Sequence, residues 1–465
     1  VTTDRSLLDA ELHRATGRLH GLTGPGDRVA TAPTNDVQAF ATSWALTLAG
    51  VTEVPVPADA TADEARALLS DARPSLLLAG RRTGHAVLDA ARGLGLALHE
   101  ADAGATPRTP QADAPRTRAM AYTSGTTGVR KGVFAGVHDA AWGRSWLGDE
   151  RAAFDHRYGD RHLVVSPLYH SGPFRHALVV ADAGGSVEVL PHFDVELWLE
   201  ALRRVRPTSM FCVPTHLHRL LAHPDLRPDD LASLTLLLHA GARCPSTLKR
   251  RVHDLAPDGT VWEFYGSTEG QFTACPPAMW EAAPGTVGTA RHDRSISVRD
   301  EHDAEVAPGM TGTVWSTAPP HGRWSYWDRP QATAAAWHGD RFSVGDLGHL
   351  DNEGRLTLDG RPGDLVVTGG VNVYPAEVER VLIECEGVAE VVVFGVPDEE
   401  WGERLVAAVV PHPTGPAPDV ARIMAHARDH LSPSRVPKDV RIVDDLPRTP
   451  TGKVRRTDLP TLVLP

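Results

Sequence analysis

Short apolar runs alternate with amphipathic stretches through the first half of the chain. Asp27–Thr31, Glu53–Val56 and Ser75–Ala79 read as short strands. Between the last two, Thr61 and Glu64 stand three residues apart ahead of Ala67, Leu68 and Leu69, the spacing of a reciprocal cap that opens a helix. Leu163–Ser166 and Ser209–Val213 repeat the strand pattern, and Val195–Val205 and His216–Leu221 follow helical spacing. Strand, helix, strand in this rhythm predicts an α/β fold with largely parallel sheets. Residues 101–117, rich in Ala, Pro, Thr and charge, predict a loop leading into a strand before Tyr122.

The pattern changes near Arg361-Pro-Gly-Asp364. Proline fixes one backbone angle and glycine frees the next pair, so a short joint can swing there without melting its neighbours. A strand over Leu365–Thr368 follows, then a helix from Pro375 with Val378, Val381, Leu382 and Cys385 at i, i+3, i+4 and i+7. Strands over Glu390–Val396 and Leu405–Val410 and a helix over Arg422–Leu431 complete an α+β unit. The expected division is a large N-terminal domain of layered sheets and helices, residues 1–361, and a small mobile C-terminal domain, residues 362–465.

A chain of 465 residues exceeds what one hydrophobic core organises, which agrees with two domains. The formal charge of -12 argues against nonspecific binding to nucleic acid or an anionic membrane. Cys212, Cys244, Cys275 and Cys385 lie far apart without metal-ligand spacing and read as reduced thiols. No apolar run reaches the roughly 18 residues of a membrane span, and the N-terminus opens polar, so the expected location is the cytoplasm.

The segment from Tyr122 to Gly132 concentrates the chemistry. Thr123, Ser124, Thr126 and Thr127 offer hydroxyl donors, Gly125 and Gly128 let backbone amides turn toward an anion, and Lys131 adds a point charge. Such a loop suits a triphosphate. It is not the common P-loop, which ends Gly-Lys-Ser/Thr where this chain has Arg130-Lys131-Gly132.

That loop resembles the phosphate loop of the adenylate-forming superfamily, which includes acyl-CoA synthetases, peptide-synthetase adenylation domains and luciferases. The resemblance continues in order through Tyr265-Gly-Ser-Thr-Glu269, Gly345-Asp-Leu-Gly348, Gly360-Arg361, Gly369-Gly-Val-Asn-Val-Tyr-Pro-Ala-Glu377 and Pro450-Thr-Gly-Lys453. It implies ATP, Mg2+ and CoA as the small molecules of the reaction. Thr268 would meet the α-phosphate, Glu269 would hold magnesium, and Asp346 with Arg361 would grip the ribose hydroxyls. Gly241, Ala242, Arg243 and Tyr265 correspond to the adenine slot, and Lys453 to the lysine that bridges carboxylate and α-phosphate. Gly369 and Gly370 correspond to the loop shown to pantetheine once the small domain rotates.

The same resemblance places His170 at the gate between acid site and CoA tunnel, with Tyr169, Ser171, Gly172, Phe174, His239, Gly241 and Gly266 as pocket walls. Arg175 and Arg243 raise a second acidic group on the substrate, against the commoner outcome of solvated side chains. Three features depart from the family pattern. Gly363 stands where Asp or Lys is usual at the hinge, Arg130 replaces a common proline, and the region ahead of Tyr122 is short. The implied activity is an acid-CoA ligase acting on a small carboxylic acid. Transfer to a carrier protein or an amine stays open, as do activation of nitrite for diazotisation, a binding-only scaffold and a homodimer; no carrier domain is expected after Pro465.

Overall fold

A computed structural model of the chain describes residues 4–101, 103–123, 130–292, 294–368, 371–398, 401–412, 415–448 and 454–463. Helix α1 (Arg5–Leu19) precedes a βα series: β1 (Arg28–Ala32), α2 (Val37–Leu48), β2 (Thr52–Pro55), α3 (Ala62–Ala72), β3 (Leu76–Ala79), α4 (His85–Gly93) and β4 (Ala97–Glu100). The four strands pair in parallel in the order β2-β1-β3-β4. The Thr61–Glu64 cap forms as its spacing predicts, with each residue's side chain meeting the other's backbone amide.

After α5 (Ala140–Ala153), a second parallel sheet is built from β5 (Arg161–Val164), α6 (Ser171–Asp182), β6 (Ser186–Val189), α7 (Val195–Val205), β7 (Ser209–Cys212), α8 (Pro214–Leu221), β8 (Leu236–His239), α9 (Ser246–Leu255) and β9 (Val261–Glu263). Its order is β6-β5-β7-β8-β9. Both sheets take helices on both faces, the usual arrangement for parallel strands. Helices α1, α2 and α6 fill the space between them, joining Val29 and Leu78 of one sheet to Val164 and Val187 of the other. Helices α3 and α4 cover the outer face of the first sheet, and α7, α8 and α9 that of the second.

An antiparallel sheet over residues 296–360 closes the large part of the chain, and its core takes in Tyr265, Phe272 and Tyr326. Its last strand ends at Gly360, a 3-10 turn occupies Pro362–Asp364, and the next sheet starts at Val366. That sheet holds β10 (Val366–Thr368), β11 (Val371–Val373), β12 (Val388–Asp398), β13 (Gly402–Pro411) and β14 (Asp439–Ile442), with helices α10 (Pro375–Leu382) and α11 (Val420–His430). It has its own core of Val366, Val378, Leu382, Val393, Ala407 and Ile423. Helix α10 stops at Leu382, so Cys385 lies beyond it and is only partly buried. Among the described residues no helix is long and apolar enough to cross a membrane, and the four cysteines are free thiols.

Candidate active site

The segment after β9 folds back on itself. Phe272 donates its amide to the Tyr265 carbonyl at 2.9 Å, and Ser267 donates to Gly270 at 2.8 Å, so Ser267, Thr268 and Glu269 form the tip of a tight reversal. Gly266 is required there, because a Cβ would sit 2.8 Å from the Gly270 carbonyl oxygen. Glu269 is buried and belongs to no helix, which removes a helix N-terminus as the reason for its charge. Its Oε2 accepts from Ser267 Oγ at 2.6 Å and its Oε1 from the Tyr326 hydroxyl at 2.8 Å.

Tyr326 is a residue that no motif pointed to. Its short strand pairs antiparallel with the strand Lys131–Phe134, and the Lys131 ammonium lies 4.7 Å from its ring centre. One tyrosine thus joins the cation at the end of the Thr123–Lys131 segment to the carboxylate of the next motif. Thr123 pairs with Lys131 across a two-residue strand. Ser124, Gly125, Thr126, Thr127 and Gly128 lie outside the described residues, as do Gly369, Gly370 and Lys453. Arg130 pairs with Glu64 at 2.7 Å, the same glutamate that caps α3.

The second cluster centres on Asp346. Tyr265 donates its hydroxyl to Oδ2 at 2.5 Å, and Arg361 donates Nε to Oδ1 at 2.5 Å. Burial and then the Asp346 charge push the Tyr265 phenol well above its ordinary range, so it stays a donor. A carboxylate has four acceptor directions, which leaves Asp346 capacity for a diol. Gly241 takes a left-handed φ of 88° after β8. Two residues on, Arg243 donates Nη1 to the carbonyl of Ala376 in α10 at 2.7 Å, a bond from the large part of the chain to the small one. Arg380 of α10 adds a 3.6 Å ion pair to Asp359.

Helix α6 starts at the third cluster, with His170 at its N-cap and its ring 4.2 Å from that of Tyr169. Burial lowers the His170 imidazole to about 4, so it is neutral near pH 7, and its buried Nε2 has no partner among the described residues. Ser171 and Gly172 follow on the first turn, and a Cβ on Gly172 would lie 3.1 Å from the Phe211 ring. Phe174 turns instead into the inter-sheet core, 5.8 Å from Phe40. Leu236 and Leu238 of β8 pack with Phe211 and Phe264 on the α6 side, while Leu237 packs on the other. Alternation therefore places His239 with Leu237, facing α9. It is fully buried, with both ring nitrogens unpartnered among the described residues.

One further residue escaped the sequence reading. Asn35, in the loop between β1 and α2, donates to the Ser166 carbonyl at 3.0 Å and accepts from the Leu168 amide at 2.8 Å, tying down the segment that carries Tyr169 and His170. It also borders a cavity of about 320 Å³ with Thr34, Gln38, Gly80 and Arg81, where the strand order reverses between β1 and β3. Arg175 is not solvated. It is 6% exposed and stands 3.7 Å from Glu150, as the fold brings α5 against α6.

The order of these clusters along the chain matches known proteins. Residues 8–322 match the AMP-binding enzyme family and residues 377–453 the AMP-binding enzyme C-terminal domain. The chain belongs to the AMP-binding enzyme family. Indoleacetate–CoA ligase of Aromatoleum aromaticum is 33% identical over 454 residues, covering 92% of this chain and 87% of that protein. A feruloyl-CoA synthase of Amycolatopsis is 32% identical over 468 residues, covering 98% and 93%. The crystal structure of ATP-bound MatB from Rhodopseudomonas palustris superposes with a TM-score of 0.85 at 29% identity, covering 98% of this chain and 93% of that one. The AMP-binding enzyme fold, a large N-terminal domain and a smaller C-terminal one, is the one described above.

Proposed function

We propose that the protein is an ATP-dependent acid–CoA ligase. The observation that carries this reading is the bridge from Lys131 through Tyr326 to Glu269, which puts a phosphate-binding cation and a buried carboxylate on one tyrosine. The relatives named as CoA ligases support CoA as the acceptor.

In the first half-reaction a carboxylate oxygen attacks the α-phosphorus of ATP, the bond to the bridging oxygen breaks, and pyrophosphate leaves with that electron pair. Two anions must meet, so the protein has to neutralise both and hold them in line. Thr123 to Lys131 would hold the departing phosphates, Thr268 the α-phosphate, and Asp346 with Arg361 the ribose. Gly241 and Tyr265 would flank the adenine. Glu269 suits a magnesium site, since that ion takes one or two carboxylates alongside phosphate oxygens. Magnesium there would spread the negative charge of the phosphates. Lys453 would bridge the carboxylate and the α-phosphate. His170, kept neutral by burial, would stand between acid and thiol without competing for the substrate's charge.

In the second half-reaction the thiol sulfur attacks the acyl carbon, AMP leaves, and the thiol proton goes to solvent. Gly369 and Gly370 would line the thiol's path after the small domain turns. We place the joint at Arg361–Pro362, dividing 1–361 from 362–465, with Gly363 as the pivot. The test is pyrophosphate exchange into ATP over a panel of acids, followed by thioester detection with CoA. Acid-dependent exchange with thioester formation supports the reading. Exchange without thioester moves the acceptor to a carrier or an amine, and no exchange with any acid rejects the ligase.

A further inference from the structure

Gln271 stands one residue past the Ser267–Gly270 reversal, where its backbone bridges antiparallel to Gly266. Its side chain leaves the reversal and crosses to α6. There Nε2 lies 3.1 Å from Nε2 of His176, while Oε1 accepts from Arg291 Nη1 at 3.1 Å. Arg291 is anchored in turn on α5, by Asp149 at 2.8 Å and Glu150 at 3.2 Å. On its far side His176 places Nδ1 3.1 Å from His156 Nε2. Arg291, Gln271, His176 and His156 are all buried.

Donor chemistry orients every bond in this chain. A guanidinium donates and cannot accept, so the Gln271 oxygen faces Arg291 and the amide nitrogen faces His176. His176 Nε2 must then accept. Burial holds both imidazoles below their ordinary range, so each carries one ring proton near pH 7. That proton sits on Nδ1 of His176, which donates to His156 Nε2. Gln271 is therefore locked at both ends of its amide, with one orientation that satisfies its neighbours.

The two segments joined by this bond carry different halves of the proposed reaction. His176 lies one turn along α6 from Gly172, and its ring stacks 5.3 Å from Phe211, the ring that a Cβ on Gly172 would meet. Helix α6 thus belongs to the acid side, which begins at His170. The reversal carries Thr268 and Glu269, on the phosphate side. We propose that Gln271 and His176 are positioning residues that fix the spacing between the bound acid and the α-phosphate of ATP. The role rests on the ligase reading, and both residues act through the segments they tie together. In-line attack needs the reacting atoms about 3–3.5 Å apart, and a misplacement of about 1 Å costs on the order of 10² in rate.

The test uses the full chain as wild type, Gln271→Met, His176→Phe and the double variant. Methionine keeps the length of glutamine, phenylalanine keeps the stack on Phe211, and each removes the same bond. Pyrophosphate exchange is measured with the acid that exchanges fastest in a panel. Equilibrium binding is measured for ATP with Mg2+ and for the acyl-sulfamoyl adenosine of that acid, an unreactive adenylate mimic that spans both sides. Rates are expressed per ATP-binding site, which removes any loss of folded protein. Each single variant is expected to lower kcat about ten- to hundredfold with KM for ATP and acid moving less than about threefold, and to weaken the mimic about tenfold while ATP binding holds. The double variant should match the worse single one, since all three lose one tie. Unchanged kcat per site in both single variants, or losses that multiply in the double variant, overturn the positioning role and leave the ligase reading standing. Equal weakening of ATP and mimic also overturns it, because that is a general loosening of the fold. Absence of exchange with any acid in the wild type removes the ligase reading, and the positioning role falls with it. Should Gln271→Met fail to fold, the split between kcat and KM in His176→Phe decides alone.

Discussion

Tyr265 and Asp346, 81 residues apart, are joined by a 2.5 Å hydrogen bond from the phenol to the carboxylate, and Arg361 holds the other oxygen. The tyrosine therefore aligns the carboxylate, besides its proposed place beside the base. Tyr265→Phe keeps the ring and removes the donor, at a cost of about 1–1.5 kcal/mol, or roughly five- to tenfold in kcat/KM for ATP. Asp346→Ala strips Tyr265 and Arg361 of their partner together and costs about 100-fold or more. Pyrophosphate exchange at varied ATP measures both; a Tyr265→Phe effect under twofold sinks the alignment role.

Glu269 is held by hydrogen bonds from Ser267 and Tyr326, one to each carboxylate oxygen. Glu269→Gln is expected to raise the Mg2+ concentration for half-maximal exchange by about tenfold or more. Tyr326→Phe releases one carboxylate oxygen and is expected to produce a smaller shift in the same direction. An unchanged magnesium titration in Glu269→Gln would exclude Glu269 as the metal ligand.

Lys453→Ala removes the cation proposed to stabilise the in-line transition state. Adenylate formation is expected to fall by about 10²–10³ while ATP binding persists. Equilibrium nucleotide binding and single-turnover AMP formation separate the two effects, and near-normal turnover overturns the assignment.

Gly363 lies in the turn between the two sheets, and a Cβ there would meet nothing within 4 Å. Gly363→Pro thus restricts rotation without a clash at that atom. It is expected to retain exchange and lose thioester formation, with Gly363→Ala retaining both. Equal loss of both half-reactions in the proline variant argues against the pivot.

Several histidines are buried neutral. Burial lowers His156 and His170 to about 4 and His162 and His216 to about 3. Each sits below the unfolded value of about 6.5, so the unfolded chain binds more protons as pH falls from there. Stability is expected to drop between pH 6.5 and 5, by up to about 1.4 kcal/mol per histidine per pH unit. The carboxylates Asp149 and Glu150 are held below their ordinary range, the burial cost outweighed by Arg291 and its neighbours, so their contribution is lost only at lower pH. Urea unfolding at pH 7.5, 6.5 and 5.5 measures the slope, and His162→Gln should reduce it. A flat profile contradicts neutral burial.

Local pattern carried much of the architecture. Helix α7 spans the residues its spacing predicts, Val195–Val205, because its Asp194 cap and apolar stripe are both written locally. The Thr61–Glu64 cap is legible for the same reason. His239 shows where local reading stops. Its neighbour Ala240 packs with Phe211 and Phe264, yet strand alternation sends the His239 ring to the opposite face of the sheet. Arg175 shows it again, since an arginine near a loop reads as solvated until α5 packs against α6 and buries it.

The sequence by itself determined the α/β class, the order of the motifs, and hence the residue types available for phosphate, metal and ribose. These depend on contacts within a few residues, where spacing dictates geometry. Tertiary structure alone decided that Tyr326 bridges Lys131 to Glu269, that Asn35 anchors the approach to His170, and that Arg291 joins Asp149 and Glu150 of α5 to Gln271. Such relationships join residues tens to hundreds of positions apart. They arise when buried polar groups must find partners in whatever the packed sheets and helices bring within reach.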